Sequence, residues 1–163
     1  ERTPDLPHAR PSLHGMDTAN LNRANLYRAA MEGATYALRH GYDALYAAGL
    51  PFDAIRLTGG GSHSAAWRQM VADVFELPVD VPTQAEGAAF GAALQALWAL
   101  DHAAGGQADI AALATEHVHL DPALSTRPDP AATAAYRSHY GHFSRHLEAA
   151  VASHASGNVT NDG

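Results

Sequence analysis

The residues of this chain best suited to chemistry form one run, Gly59-Gly60-Gly61-Ser62-His63-Ser64. Three successive glycines let a backbone turn sharply and approach a ligand with no Cβ in the way. The flanking pattern predicts a strand over 53–58 and a helix over 64–75. Unpaired N–H groups and the dipole at the start of such a helix favour an anion there. Ser62 or Ser64 either caps that helix or faces the ligand.

Three readings of the run compete. In the first, the glycines only make a tight strand-to-helix connection. In the second, Gly59-x-Gly61-x-x-Ser64 approximates a dinucleotide-binding fingerprint, with Asp80 standing about 20 residues on as the ribose-binding acid. Against this, the third glycine is missing, a long helix precedes the unit, and no third βα unit follows. In the third, the turn cradles a nucleotide in some other way, and only context beyond it can decide.

Composition narrows the chemistry. All ten basic residues are Arg and none is Lys. That removes the P-loop lysine, the protein-kinase ATP lysine and Schiff-base catalysis together. Any phosphate must then be held by backbone amides, a helix N-terminus or a metal. The absence of Cys excludes disulfides, thiolate nucleophiles and Cys-ligated zinc. A net charge of −7 with scattered arginines is the wrong field for nucleic acid. No apolar run approaches the ~20 residues that span a bilayer, and no signal-peptide pattern opens the chain. The expectation is a cytoplasmic protein with no nucleic-acid or membrane partner.

Other polar candidates carry less. Asp53, Asp73 and Asp80 are carboxylates near the run, with Asp53 and Asp80 reading as strand-edge solvent residues. His139, His142 and His146 share a helix at metal-ligand spacing but lack a fourth ligand, so a solvated face is the expectation. His117 and His119 alternate as on a strand edge, and His63 borders the glycine run. Glu32 fits helix packing as well as a ligand role. Asn158-Val159-Thr160 matches a glycosylation sequon, which has no meaning without secretion.

These residues need elements to position them. Residues 1–12 carry three prolines and read as a surface loop, and Leu13 to Met16 as a strand end. Asp17 or Thr18 is expected to cap a long helix over 21–48. Its apolar stripe Tyr27, Met31, Ala34, Leu38 and Leu45 should turn inward, and Gly49 and Pro51 should end it. After the glycine turn, Trp67, Met70, Val71, Val74 and Phe75 form a buried helix face. A second strand over 78–81 leads to a helix over 86–100, bulky along Phe90, Leu94, Leu97 and Trp98 and small along Ala88, Gly91, Ala92 and Ala99. Residues 101–129 read as loop with weak helix signal over 110–114. A last helix over 130–151 carries Tyr136, Tyr140, Phe143, Leu147 and Val151. The order of elements is an α/β layered pattern.

The context around the turn matches a family. Leu57-Thr58-Gly59-Gly60-Gly61-Ser62, continuing through Trp67, Gln69, Ala72 and Asp73, resembles the adenosine-binding segment of FGGY carbohydrate kinases. Glu86-Gly87-Ala88-Ala89-Phe90-Gly91-Ala92-Ala93 resembles the family's next helix. Leu13-x-Gly15-Met16 with Asn25-Leu26-x-x-Ala29-Ala30-Met31-Glu32 resembles its C-terminal signature, departing from it at Pro11, where Gly, Ser or Ala is usual. The resemblance runs from residue 1 to about residue 150 through ordered motifs, far more specific than the glycines alone.

That resemblance implies an actin-like, ribonuclease-H-like α/β fold, the second of two domains flanking a cleft that holds ATP and Mg2+. It implies that Gly60 and Gly61 lie against the nucleotide, that Gly59 permits the turn, and that Ser64 contacts adenine. Trp67 and Gln69 pack beneath. The implied reaction moves phosphate from ATP to a sugar, D-xylulose ahead of ribulose, gluconate or glycerol. The implied base is an Asp upstream of this chain, so no residue here is nominated as catalytic. A non-kinase actin-like nucleotide module is the alternative from another class, and a plain helical interaction domain a third. Glu1-Arg2-Thr3-Pro4 opens without Met in loop-like sequence, as in a fragment of something longer. The expected layout is therefore a partial nucleotide-binding domain over 1–152, sharing ATP and a ketose with an upstream domain and open to homodimerisation. A disordered polar tail is expected over 153–163.

Overall fold

A computed structural model describes residues 10–84 and 86–157, with side chains described up to His154. The elements, in order, are α1 (Arg23–Ala47), β1 (Ile55–Arg56), a 3-10 turn (Gly60–His63), α2 (Ala65–Phe75), β2 (Val79–Asp80), α3 (Gly87–Ala103), α4 (Ile110–His117) and α5 (Pro130–Gly157). They fall into two compact units. Among the described residues, the first holds those from Arg10 to Phe52, Asp73–Phe75 and those from Pro130 to Gly157; the second holds Asp53–Ala72 and Glu76–Asp129.

The first unit is built on α1 and α5. The N-cap of α1 is Asn22, whose side chain accepts from the Asn25 N–H at 2.9 Å. The cap expected at Asp17 or Thr18 is not formed. Asp17 instead accepts from the amides of Ala19 and Asn20 at 2.8 Å each, closing a separate turn ahead of the helix. Leu13 to Met16 form no strand. Gly49, at φ +83°, ends α1 as expected. There the Leu50 amide returns to the Leu45 carbonyl at 3.0 Å, a reversal that needs a left-handed residue.

The apolar stripe of α1 does not turn inward. Tyr27 is 72% exposed and Leu38 58% exposed. The inward face is instead marked by Thr35 and Tyr36, both buried, with Glu32, Arg39, Tyr42 and Asp43 along the same side. Tyr36 sits within an aromatic cluster from α5, its ring 5.8 Å from Tyr140 and 5.4 Å from Phe143. Arg28 donates to Glu32 at 2.7 Å and to the Tyr136 hydroxyl at 3.1 Å. The stripe expected on α5 does face inward, with Tyr136 buried and Tyr140, Phe143, Leu147 and Val151 half-buried. The helix continues to Gly157, beyond the expected end at Val151. Residues 153–157 of the expected tail are thus helical, and 158–163, with the Asn158 sequon, lie outside the described residues.

The second unit holds the sheet. β1 and β2 pair in parallel, Ile55 opposite Val79 and Arg56 opposite Asp80. The far side of β2 is met by an antiparallel bridge from Val79 to Thr126. Both strands are shorter than the sequence pattern suggested, and beyond β2 Pro82 bridges antiparallel to Leu120. Met70, Val71, Ala72, Val79 and Val81 are its buried apolar residues. The weak helix signal over 110–114 corresponds to α4, three residues longer than expected, capped by Asp109 on the Ala111 amide at 3.2 Å and packed on α3. Among the described residues, no helix is long and apolar enough to cross a membrane.

Candidate nucleotide site

The glycine run sits between β1 and α2, as the sequence required. Gly59 adopts φ +78° and ψ −173°, a conformation that glycine adopts without steric penalty. Gly60 to His63 then form the 3-10 turn, and Ser64 caps α2 by accepting from the Trp67 amide at 3.2 Å. The Ser64 hydroxyl therefore does helix-capping work.

Carbonyl groups of the run are tied back into the protein. The Ser62 and Ser64 amides donate to the Gly59 and Gly61 carbonyls at 3.0 and 3.1 Å. The Ser62 hydroxyl adds a second bond to the Gly59 carbonyl at 2.7 Å. The amides of Gly60 and Gly61 donate to nothing among the described residues. A Cβ placed on Gly59 or Gly60 would have no neighbour within 4 Å, and one on Gly61 would only touch the Trp67 ring at 3.9 Å. Two N–H groups, unpaired among the described residues, on exposed glycines ahead of a capped 11-residue helix suit an anion or a polar ring edge.

A second motif comes to the same place. Gly87, the first residue of α3, lies so close to the end of β1 that an added Cβ would stand 3.2 Å from the Thr58 side chain. The Gly-Ala-Ala segment is thereby held beside the glycine turn. Asp80, the acid of the dinucleotide reading, is otherwise engaged: Ser125 donates to its carboxylate at 2.5 Å and Arg127 lies 3.6 Å away. Asp53 is exposed, Asp73 is buried in α2, and Gln69 donates to the Arg127 carbonyl at 3.0 Å. His139, His142 and His146 are exposed on α5. The His146 ring is stacked on His14, with centroids 3.9 Å apart.

One residue under the turn, Arg68, was not singled out by its type, and Ser62, expected to cap the helix or face the ligand, turns inward instead. Ser62 is 1% and Arg68 8% exposed, and Arg68 Nη1 donates to the Ser62 carbonyl at 2.6 Å. An Arg one turn into an amphipathic helix gives no sequence signal of being buried.

Comparison with known proteins identifies the family. Residues 1–100 match the FGGY family of carbohydrate kinases, C-terminal domain, and the chain belongs to that family. A xylulose kinase from Haemophilus influenzae is 40% identical over 147 residues, covering 90% of this chain and 29% of its own length. A gluconokinase from Bacillus subtilis is 37% identical over 94 residues, covering 57% of this chain and 18% of its own. The crystal structure of a Brucella ovis protein described as a xyloylose kinase superposes with a TM-score of 0.75 at 29% identity, over 89% of this chain and 28% of that one. The chain thus spans less than a third of each of these relatives.

Proposed function

We propose that this chain forms the adenosine-binding part of an ATP-dependent sugar kinase that converts D-xylulose to D-xylulose 5-phosphate. The observation that carries this reading is the pair of amides on exposed Gly60 and Gly61, unpaired among the described residues. Membership of the family and 40% identity to a xylulose kinase support the substrate class. The fold is then the C-terminal actin-like domain of the pair, working in the cytoplasm where ATP is supplied. Gly59 sets the turn, Gly60 and Gly61 meet the nucleotide, and Ser64 holds the start of α2 beside the adenine.

Phosphoryl transfer needs a base, in-line positioning and charge neutralisation. No group of three or more His, Asp or Glu among the described residues is placed to hold a metal. In this reading the Mg2+ arrives with the ATP phosphates, and the base and sugar contacts belong to the upstream domain that the family resemblance implies. Gluconate is the second reading, on the strength of the gluconokinase relative.

Calorimetric titration of the full-length protein with ADP-Mg tests the site. Gly60→Val adds a side chain whose Cβ meets nothing within 4 Å, and it should abolish measurable affinity at unchanged melting temperature. Unchanged affinity would reduce the turn to a connection. Turnover of D-xylulose against gluconate by the full-length protein decides the sugar.

A further inference from the structure

We propose that Arg68 is a positioning residue for the nucleotide, acting from beneath the glycine turn and never touching the ligand. The inference rests on the reading of the turn as a nucleotide cradle. A run of three glycines has the greatest backbone freedom of any segment, and its own side chains cannot restrain it. A cradle made of N–H groups works only if those groups are already aimed, since ordering them on binding lowers affinity.

What restrains this turn is a chain of contacts through its carbonyls. The Ser62 hydroxyl grips the Gly59 carbonyl at 2.7 Å, and Arg68 Nη1 grips the Ser62 carbonyl at 2.6 Å. Arg68 is itself anchored one turn into α2, its amide bonded to the Ser64 carbonyl at 3.0 Å. The guanidinium therefore ties the far end of the turn to the helix that follows. Gly60 and Gly61 lie between those ties and leave their N–H groups free.

The arrangement is costly for the fold. Arg68 is 8% exposed, and its Nε is buried with no hydrogen-bond partner among the described residues. A buried polar atom left unpaired destabilises a protein. An apolar side chain of similar length would avoid that loss while leaving the Ser62 carbonyl unpaired, so the two effects oppose each other. Fold stability alone gives little reason for a guanidinium here; fixing a glycine turn does.

The test uses the full-length kinase and three variants: Arg68→Met, Arg68→Lys and Gly60→Val. Arg68→Met should raise KM for ATP and Kd for ADP-Mg about tenfold, with KM for the sugar unchanged and the melting temperature little altered. Hydrogen exchange of the Ser62 and Ser64 amides, which are bonded within the turn, should accelerate in the same variant. Arg68→Lys keeps a donor and should recover part of the affinity; it also serves as the test if Arg68→Met does not fold. Wild-type ADP affinity in a folded Arg68 variant, beside lost affinity in Gly60→Val, overturns the positioning role alone. A lowered melting temperature at unchanged KM also overturns it, showing Arg68 to be structural. Wild-type affinity in Gly60→Val removes the cradle reading, and the inference falls with it.

Discussion

The Tyr140 hydroxyl donates to Asp43 Oδ2 at 2.6 Å, while Arg39 Nε holds the other carboxylate oxygen at 2.8 Å. Arg39 also reaches the Val74 carbonyl at 2.5 Å and lies over the Tyr42 and Tyr140 rings. One carboxylate thus joins α1 to α5 through a phenol that must stay protonated.

Alkaline pH should therefore unfold the first unit. Burial, then the bond to Asp43, raises the Tyr140 pKa above its ordinary 10.0, and burial raises Tyr36 and Tyr136 in the same direction. The unfolded chain releases these protons near pH 10 while the folded chain keeps them. By linkage, the stabilisation is complete below about pH 10 and is lost as pH rises further. Melting temperature should fall steeply above that pH. Tyr140→Phe should shallow the fall while costing about 1 kcal/mol at neutral pH. An unchanged slope in that variant would rule out the Tyr140 pair as its source.

Tyr36 and Leu38 invert the usual expectation for a polar and an apolar residue on one helix. Tyr36 is 5% exposed with its hydroxyl unpaired among the described residues, and Leu38 is 58% exposed. Tyr36→Ala should cost about 3–5 kcal/mol. Tyr36→Phe should be neutral or stabilising, because it removes a buried unpaired oxygen. Leu38→Ser in this chain should stay within about 0.5 kcal/mol of wild type. Denaturant titrations of the three variants check the order.

That inversion shows where the sequence was legible. The turn, α2 and α5 followed directly from glycine punctuation and helical periodicity, because each of those patterns agrees with the packing around it. The apolar stripe of α1 is just as periodic, yet periodicity reports only that one face is apolar, and α5 covers the opposite one. Tyr36 meets rings about a hundred residues downstream and Arg39 reaches both Tyr140 and the end of α2, and helical spacing carries no such information. At the site, glycine chemistry pointed to the unpaired amides. The carbonyl ties through Ser62 and Arg68 depend on side-chain rotamers and stayed hidden.

Gly87 should behave as a spacer between α3 and β1. An added Cβ would meet Thr58 Cβ, Cγ2 and Oγ1 at 3.2 Å, tight enough to move one of the two elements. Gly87→Ala should destabilise by about 1–3 kcal/mol, the usual range for overpacking. Adding Thr58→Ala removes two of the three crowded atoms and should recover at least ~0.5 kcal/mol beyond additivity. A strictly additive double-mutant cycle would place the cost elsewhere than this contact.

Gly59 and Gly60 should separate backbone strain from ligand access. Neither has an atom within 4 Å of an added Cβ, but only Gly59 has a positive φ, at +78°. Gly59→Ala must hold an L-residue in an ε-like conformation at a cost on the order of 1–3 kcal/mol, so its melting temperature should drop. Gly60→Ala pays no such strain and should melt like wild type. Its methyl group nevertheless enters unoccupied space at the turn, so on the nucleotide reading ADP-Mg affinity should fall while stability holds. A Gly60→Ala protein that melts early would mean the turn is packed against something, and the open approach on which the nucleotide reading depends would not exist.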